Sequence, residues 1–285
     1  MEWWHAALLG LVEGVTEYLP VSSTGHLILV SSLLGLDTPA HKEALDAFEI
    51  AIQGGAILAV VGLYRARVLQ MLRGLAGRDP VGLRLLGNLA LGFAPAAVLG
   101  PFLEKPIDRY LFRPLPVLLA LVVGGVWMIW LDRRKQGNPQ GRRIDQLDRR
   151  HALAIGLFQC LAMWPGTSRS MVTIAGGLIL GLRVRDAAEF SFLLGVPTLG
   201  AACVYKLAKN LLAAHAGTAP SLFAVLGPAP VALGFAVAAV SAVFAVRWLV
   251  DFLQRSGLAP FGYYRIALAG VLGALSLAGV VSLSR

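Results

Sequence analysis

Long, uninterrupted apolar blocks are the feature of this sequence that most constrains its fold. A helix of about 17 to 25 apolar residues crosses the roughly 30 Å hydrocarbon layer of a bilayer. The blocks are continuous rather than alternating, which disfavours the strands of a closed barrel. We therefore predict an all-α integral membrane protein, a polytopic bundle of about six transmembrane helices. The predicted spans lie near 48–64, 84–103, 115–131, 190–208, 230–250 and 266–283.

Composition and charge agree with this class and predict an orientation. The chain is 57% hydrophobic and 14% charged, against about 45–50% and about 25% in soluble proteins. Its net charge of +9 is concentrated in two connections between predicted spans, which is typical of cytoplasmic loops rather than of a nucleic-acid-binding protein. We therefore expect both connections in the cytoplasm and no nucleic-acid partner. The basic residues are Arg65, Arg67, Arg73, Arg78 and Arg84 in the first connection, and Arg133, Arg134, Lys135, Arg142, Arg143, Arg149 and Arg150 in the third.

An internal repeat organises the chain. LGFAPAA at 91–97 recurs as LGFAVAA at 233–239, and the segment 10–36 is echoed by 156–182. The spacing is about half of the 285 residues, so we predict a single membrane domain built of two repeats, about 1–142 and 143–285. Three spans in each repeat would make the second copy enter the membrane from the opposite side, which is an inverted-topology repeat.

Each predicted repeat opens with two apolar runs that are too short to cross a bilayer. The runs are separated at Pro20 in the first repeat and at Pro165 and Gly166 in the second. Proline ends a helix, and the hydroxyl residues that follow can cap a new one. Broken backbone at membrane depth is tolerated only inside protein or beside a watery cavity. We predict two re-entrant helical hairpins that enter from opposite faces; two long, kinked spanning helices are the alternative.

Charged and hydroxyl side chains cluster around both breaks. Glu13 and Glu17 are four residues apart and share one helix face. Ser23 and His26 follow the first break, and Arg169 follows the second. A charge at membrane depth costs roughly 3 kcal/mol even on the gentler insertion scale. The cost predicts a hydrated site in which these groups are paired.

These residue types suit phosphate chemistry. Helix N-termini and an arginine bind phosphate oxygens. Two carboxylates can hold a divalent cation or accept a proton, and a histidine or serine can attack phosphorus. We predict phosphoryl transfer with catalytic residues Glu17, Ser23, His26 and Arg169 and metal ligands Glu13 and Glu17. The predicted diphosphate-binding hydroxyls are Ser22, Thr24, Thr167, Ser168, Ser170 and Thr173.

EGVTEYLPVSSTGH at 13–26 and PGTSRSMVT at 165–173 resemble the two signatures of the bacterial undecaprenyl-diphosphate phosphatase family linked to bacitracin resistance. The likeness continues through FEIAIQGGAILAVV at 48–61 and EFSFLLGVP at 189–197. It implies an inner-membrane enzyme with interlocking inverted repeats. The enzyme would hydrolyse undecaprenyl diphosphate to undecaprenyl phosphate and inorganic phosphate, recycling the lipid carrier for peptidoglycan synthesis. The resemblance also implies a divalent cation, Mg²⁺ or Ca²⁺.

Several alternatives stay open at the level of sequence. A secondary transporter or polyprenyl-phosphate flippase is the rival function, because inverted repeats with broken helices are typical of transporters. The nucleophile is His26, Ser23 or water. The metal, the preferred prenyl length and a homodimer are also undecided. Because the first hairpin enters from the outer side, we expect the site to open toward the periplasm.

Overall fold

The computed structural model describes residues 1–36, 42–134, 140–217 and 221–281. Within these ranges the chain is helical and forms no β-strand. The prediction of an all-α fold is therefore confirmed. The helices are α1 (Trp3–Thr16), α2 (Ser23–Leu33), α3 (Lys42–Leu63), α4 (Arg65–Leu75), α5 (Pro80–Tyr110), α6 (Pro114–Arg134), α7 (Arg149–Cys160), α8 (Arg169–Ile179), α9 (Val184–His215), α10 (Leu222–Leu226), α11 (Pro228–Ser256) and α12 (Ala259–Leu277).

Five of the described helices, α3, α5, α6, α9 and α11, are long and apolar enough to cross a bilayer. They account for five of the predicted spans. The span predicted near 266–283 corresponds to α12, which begins earlier, at Ala259, and is not among the five. Tyr263, Tyr264 and Arg265 lie in its first half and lower its mean hydropathy. The polytopic, multi-pass character of the chain is clear from the five long helices.

Each predicted hairpin is a pair of short helices separated by a break. The longest of the four, α1, has 14 residues and extends about 21 Å at 1.5 Å per residue, less than the hydrocarbon thickness. α1 packs on α2, and α7 packs on α8. The helix–break–helix prediction is confirmed, in place of two long kinked helices. The depth and direction at which each hairpin enters the bilayer stay predictions.

The first helix of each hairpin packs on a long helix from the other half of the chain. α1 lies against α11, and α7 lies against α5. Both contacts need glycine: a Cβ atom at Gly10 would overlap the carbonyl oxygen of Gly234, and one at Gly156 would overlap that of Gly92. The same alternation holds for the long helices, since α3 packs on α9 and α6 packs on α12. The two halves therefore interlock.

The two basic connections, which are the first and the third between the predicted spans, meet on one side of the bundle. Arg67 Nη1 lies 2.8 Å from Asp145 Oδ1, and Arg67 Nε lies 2.7 Å from Glu189 Oε1. Arg84 Nη2 donates to the Asp145 carbonyl oxygen at 2.6 Å. Burial lowers the pKa of Arg67, but the hydrogen bond and charge of Glu189, together with those of Asp145, raise it above its ordinary value. Lys135, also in the predicted basic set, lies outside the described residues.

Candidate active site

The two breaks have the same unusual backbone conformation. Ser22 has φ 73° and Ser168 has φ 72°, and no other non-glycine residue in the described ranges has a positive φ. Ser22 Oγ accepts a hydrogen bond from the Gly25 N–H at 3.5 Å, and Ser168 Oγ accepts one from the Met171 N–H at 3.4 Å. Each serine therefore caps the helix that follows its break. Strained backbone of this kind is concentrated at functional sites.

The breaks touch each other, which brings the two hairpins to one site. Ser170 at the start of α8 donates its hydroxyl hydrogen to the carbonyl oxygen of Leu19 at 3.0 Å. Leu19 lies in the first break, and Ser170 is fully buried. The Ser168 and Ser170 hydroxyls are 3.1 Å apart. The N-termini of α2 and α8 thus lie at the same junction.

Glu17 lies at the centre of this junction and contacts residues of both hairpins. Its Oε2 accepts a hydrogen bond from Ser23 Oγ at 2.7 Å. Its Oε1 lies 3.9 Å from Nη2 of Arg169. Both partners of this ion pair are buried, Glu17 at 7% exposure and Arg169 at 9%. The structure therefore brings Glu17, Ser23 and Arg169 together across the two breaks; their catalytic roles stay predictions.

Arg169 is held in place by α9 and by the first break. Its Nη1 donates to the Ser191 carbonyl oxygen at 2.7 Å, and its guanidinium lies 5.3 Å from the centre of the Tyr18 ring. A Cβ atom at Gly195 would come within 2.8 Å of the guanidinium, so glycine leaves the space that Arg169 fills. Nε and Nη2 have no hydrogen-bond partner in the described part of the chain. These N–H groups are available to an anion.

The predicted phosphate-binding hydroxyls divide into three groups. Ser22 and Ser168 cap helices, as above. Ser170 and Thr173 are buried against protein groups: Thr173 Oγ1 donates to the Arg169 carbonyl oxygen at 2.8 Å and lies 2.6 Å from Ser191 Oγ. Their hydroxyls therefore support Arg169 and the first break. Thr24 and Thr167 are half-buried. Of the six predicted phosphate-binding hydroxyls, only these two make no hydrogen bond within the described residues.

Glu13 is the most deeply buried carboxylate of the site, with 1% exposure. Neither of its oxygens has a hydrogen-bond partner of good geometry in the described ranges, although Glu17 and Gln53 lie beside it and Glu49 is within electrostatic range. Among the described residues, no three His, Cys, Asp or Glu side chains converge as a metal cluster. Within the described chain, Glu13 therefore has two oxygens free of hydrogen bonds, whereas the oxygens of Glu17 already face Ser23 and Arg169. A hard cation held by this pair would take its other ligands from phosphate or water.

His26 lies beside this cluster but is bonded to other groups. Its Nδ1 is 2.8 Å from the Ser22 carbonyl oxygen, and its Nε2 is 2.6 Å from the Tyr264 hydroxyl. The two rings lie side by side, with centroids 5.6 Å apart and planes 2° from parallel. Within the described ranges, no hydrogen bond joins His26 to Glu17, Ser23 or Arg169. The histidine is therefore at the edge of the junction.

Sequence reasoning missed the residues that support the site from other helices. They are Tyr18, Ser191, Gly195, Tyr264 and Arg265. Ser191 and Gly195 lie in EFSFLLGVP at 189–197, a stretch of the family resemblance for which the sequence predicts no role. Tyr264 and Arg265 lie just before the predicted span 266–283 and inside the observed α12. An arginine inside an apolar helix indicates function, but the predicted start at residue 266 leaves it outside the span.

Comparison with known proteins identifies the family. The sequence profile of the family described as "Bacitracin resistance protein BacA" matches residues 6–271. The chain is 47% identical to "Undecaprenyl-diphosphatase" of Sorangium cellulosum, over 95% of this chain and 86% of that protein. It is 46% identical to "Undecaprenyl-diphosphatase 2" of Rhodospirillum rubrum, over 98% and 97% of the two chains. It is 42% identical to "Undecaprenyl-diphosphatase" of Nitrosospira multiformis over the full length of both. The chain belongs to the bacitracin resistance protein BacA family.

Proposed function

We propose that this protein is a membrane phosphatase that hydrolyses undecaprenyl diphosphate to undecaprenyl phosphate and inorganic phosphate. The names of its relatives supply the substrate. The observation that carries the chemistry is the buried Glu17 carboxylate, which accepts a hydrogen bond from Ser23 at 2.7 Å and faces Arg169 at 3.9 Å. A base, a hydroxyl nucleophile and a phosphate-binding cation therefore meet at one point, which is the arrangement that phosphoryl transfer needs.

Ser23 is the nucleophile in this proposal, because it is the hydroxyl that the base already holds. Its Oγ forms a bond to the terminal phosphorus while the bond from that phosphorus to the bridging oxygen breaks. The Ser23 proton passes to Glu17 Oε2, and undecaprenyl phosphate leaves with the electron pair of the broken bond. The 2.7 Å contact is within the reach of a general base.

Water completes the reaction in a second step. It attacks the phosphoserine, its oxygen bonds to phosphorus, and the bond from phosphorus to Ser23 Oγ breaks. Glu17 returns its proton to Ser23, and the proton lost by the water passes to solvent or to His26. Inorganic phosphate leaves, and the site is restored. His26, at the edge of the junction, is in this view a proton acceptor rather than the nucleophile.

The charge of the diphosphate is neutralised by groups from both hairpins. Arg169 has two N–H positions free of hydrogen bonds, at Nε and Nη2, and a guanidinium binds phosphate in a bidentate manner. The N-termini of α2 and α8 add backbone N–H groups and the positive ends of two helix dipoles. Thr24 and Thr167 add hydroxyl donors.

We propose that Glu13 and Glu17 would hold a divalent cation, Mg²⁺ or Ca²⁺. The two free, buried oxygens of Glu13 support this assignment. When bound, the cation supplies further charge neutralisation to the phosphate oxygens. Glu13 is the more deeply buried of the two carboxylates, with 1% exposure.

We further propose that the protein lies in the inner membrane as an inverted repeat of about 1–142 and 143–285, with its site open to the periplasm. The reciprocal packing of α1 on α11 and α7 on α5 supports the repeat. The meeting of the two arginine-rich connections at Asp145 supports a common cytoplasmic side. A homodimer is compatible with this arrangement and is not required by it.

Phosphate release by purified protein in vesicles tests the function. We expect release of inorganic phosphate from undecaprenyl diphosphate, and a lower rate after addition of a chelator. A protein that releases no phosphate, but moves the lipid between the leaflets of the vesicle, would overturn the proposal in favour of a transporter.

A further inference from the structure

We propose that Tyr264 is a positioning residue for His26, whose hydroxyl holds the imidazole through its Nε2 atom. The proposal rests on the proposed function only in assigning His26 to the active site. The contact itself is direct: the Tyr264 hydroxyl lies 2.6 Å from His26 Nε2. It joins residues 238 positions apart in the chain, one on α2 of the first hairpin and one on α12.

The bonding pattern determines which nitrogen of His26 carries the proton. Nδ1 lies 2.8 Å from the carbonyl oxygen of Ser22. A carbonyl oxygen only accepts hydrogen bonds, so Nδ1 is protonated. In the neutral imidazole, Nε2 is then the acceptor, and the Tyr264 hydroxyl donates to it. Both ring nitrogens are therefore fixed by partners, one from the first break and one from α12.

The hydrogen bond also brings the two rings into nearly one plane. The His26 and Tyr264 rings are 2° from parallel, with centroids 5.6 Å apart. Because the hydroxyl lies only 2.6 Å from Nε2, the two planes are too close for face-to-face stacking, and the rings lie side by side. Tyr264 is 46% exposed, so the pair lies at the open edge of the site rather than in the core. A phenylalanine at 264 would keep the ring and remove only the hydroxyl. One substitution therefore tests the hydrogen bond while keeping the bulk of the side chain.

The neighbouring residue anchors α12 to the second hairpin. Arg265 is fully buried and donates from Nη2 to the carbonyl oxygens of Gly166, at 2.8 Å, and Ala120, at 2.9 Å. Gly166 belongs to the second break. Adjacent residues of α12 therefore contact both hairpins, and the position of the Tyr264 hydroxyl relative to the junction is fixed by a buried anchor.

The contact has a consequence for proton transfer. Nε2 is the nitrogen of neutral His26 that has a free lone pair, and the Tyr264 hydroxyl covers it in the resting protein. A tyrosine hydroxyl both donates and accepts. Once His26 takes a proton on Nε2, the hydroxyl can turn and accept a hydrogen bond from it. Tyr264 is thus a partner of the imidazole before and after proton uptake.

The test compares Tyr264→Phe with Tyr263→Phe, because Tyr263 is the adjacent exposed tyrosine and makes no hydrogen bond to His26 within the described ranges. Diethyl pyrocarbonate modifies an imidazole nitrogen that has a free lone pair, and peptide mass mapping reports the rate at His26 alone. In Tyr264→Phe we expect several-fold faster modification of His26. We also expect kcat to fall about tenfold, the effect of one lost hydrogen bond, with KM unchanged. Tyr263→Phe should match the wild type in all three measurements.

Equal modification rates in Tyr264→Phe and the wild type would overturn the proposal, as would faster modification with an unchanged kcat. The modification rate is measured without substrate and does not depend on hydrolysis. Failure of the wild-type protein to release phosphate would therefore contradict the proposed function, while the modification rate would still decide the contact between Tyr264 and His26.

Discussion

At the scale of single residues, the two serines at the breaks combine a helix cap with strained backbone. Ser22 and Ser168 both have a positive φ, which glycine adopts without penalty and other residues rarely adopt. Each also bonds an N–H group of the helix that follows. At these two positions the backbone conformation favours glycine, whereas the helix cap requires the serine hydroxyl. Glycine would therefore relieve the strain but lose the cap.

Substitution of Ser168 separates these two effects. Ser168→Ala removes the cap and keeps the strain, whereas Ser168→Gly removes both. We expect the alanine variant to have a free energy of unfolding about 1 kcal/mol lower than that of the glycine variant. Chemical denaturation of both proteins in the same detergent measures the difference. Equal stabilities would show that the backbone at residue 168 is not strained.

The sequence was sufficient to predict Glu17, Ser23 and Arg169 as one cluster, because each flanks a proline or glycine break in an apolar chain. It was not sufficient for the groups that hold them. Thr173 looks like a phosphate ligand in PGTSRSMVT, but its hydroxyl bonds the carbonyl oxygen of Arg169 and faces Ser191. The bond to Arg169 is a local one, four residues back along the helix, but Ser191 lies 18 residues away on another helix, and that contact has no local pattern by which to predict it.

At the scale of helices, close packing through glycine fixes the hairpins against the long helices. A Cβ atom at Gly10 of α1 would overlap the backbone of Gly234 in α11. Gly87 in α5 is exposed and has nothing within 4 Å of the corresponding position. The two glycines therefore provide a matched pair for substitution.

We expect Gly10→Ala to lower the free energy of unfolding by about 1–3 kcal/mol, the usual cost of overpacking, and to reduce phosphate release because α1 carries Glu13. Gly87→Ala should not destabilise the protein, since alanine favours a helix more than glycine does. Thermal unfolding in detergent measures both. Similar stability of the two variants would contradict the close contact between α1 and α11.

The sequence predicts where the helices lie better than it predicts how long they are. Pro20 and Pro165 correctly locate the breaks of the two hairpins. The span predicted at 84–103 is part of the 31-residue α5, which continues through Pro95, Pro101 and Pro106. Proline normally ends a helix, but neighbouring helices can satisfy the backbone groups that it frees within a membrane protein. Such support from neighbouring helices cannot be predicted from the local sequence.

At the scale of the whole molecule, the orientation of the bundle follows from its basic side. Arg67 and Arg84 reach the segment around Asp145, so the first and third connections share one side. α3 connects the end of the first hairpin to the first of these connections. If α3 crosses the bilayer, the first hairpin enters from the opposite, periplasmic side, as the sequence predicts.

Cysteine labelling tests this orientation. Cys160 and Cys203, both free thiols, are first replaced by alanine, and single cysteines are then introduced as Ala40→Cys and Arg78→Cys. Residue 40 lies outside the described ranges. In intact spheroplasts, we expect an impermeant maleimide to label residue 40 and to label residue 78 only after permeabilisation. The reverse pattern would contradict the proposed orientation.

The central claim is that one phosphatase site is divided between the two hairpins. The most direct measurement is the initial rate of phosphate release from undecaprenyl diphosphate by the wild type, Ser23→Ala from the first hairpin and Arg169→Gln from the second. Glu104→Gln, outside the site in α5, is the control. We expect each site variant to lose about 10²-fold or more in kcat, as for other lost charge stabilisers and nucleophiles, and the control to match the wild type. Arg169→Gln with a near wild-type rate would contradict the divided site.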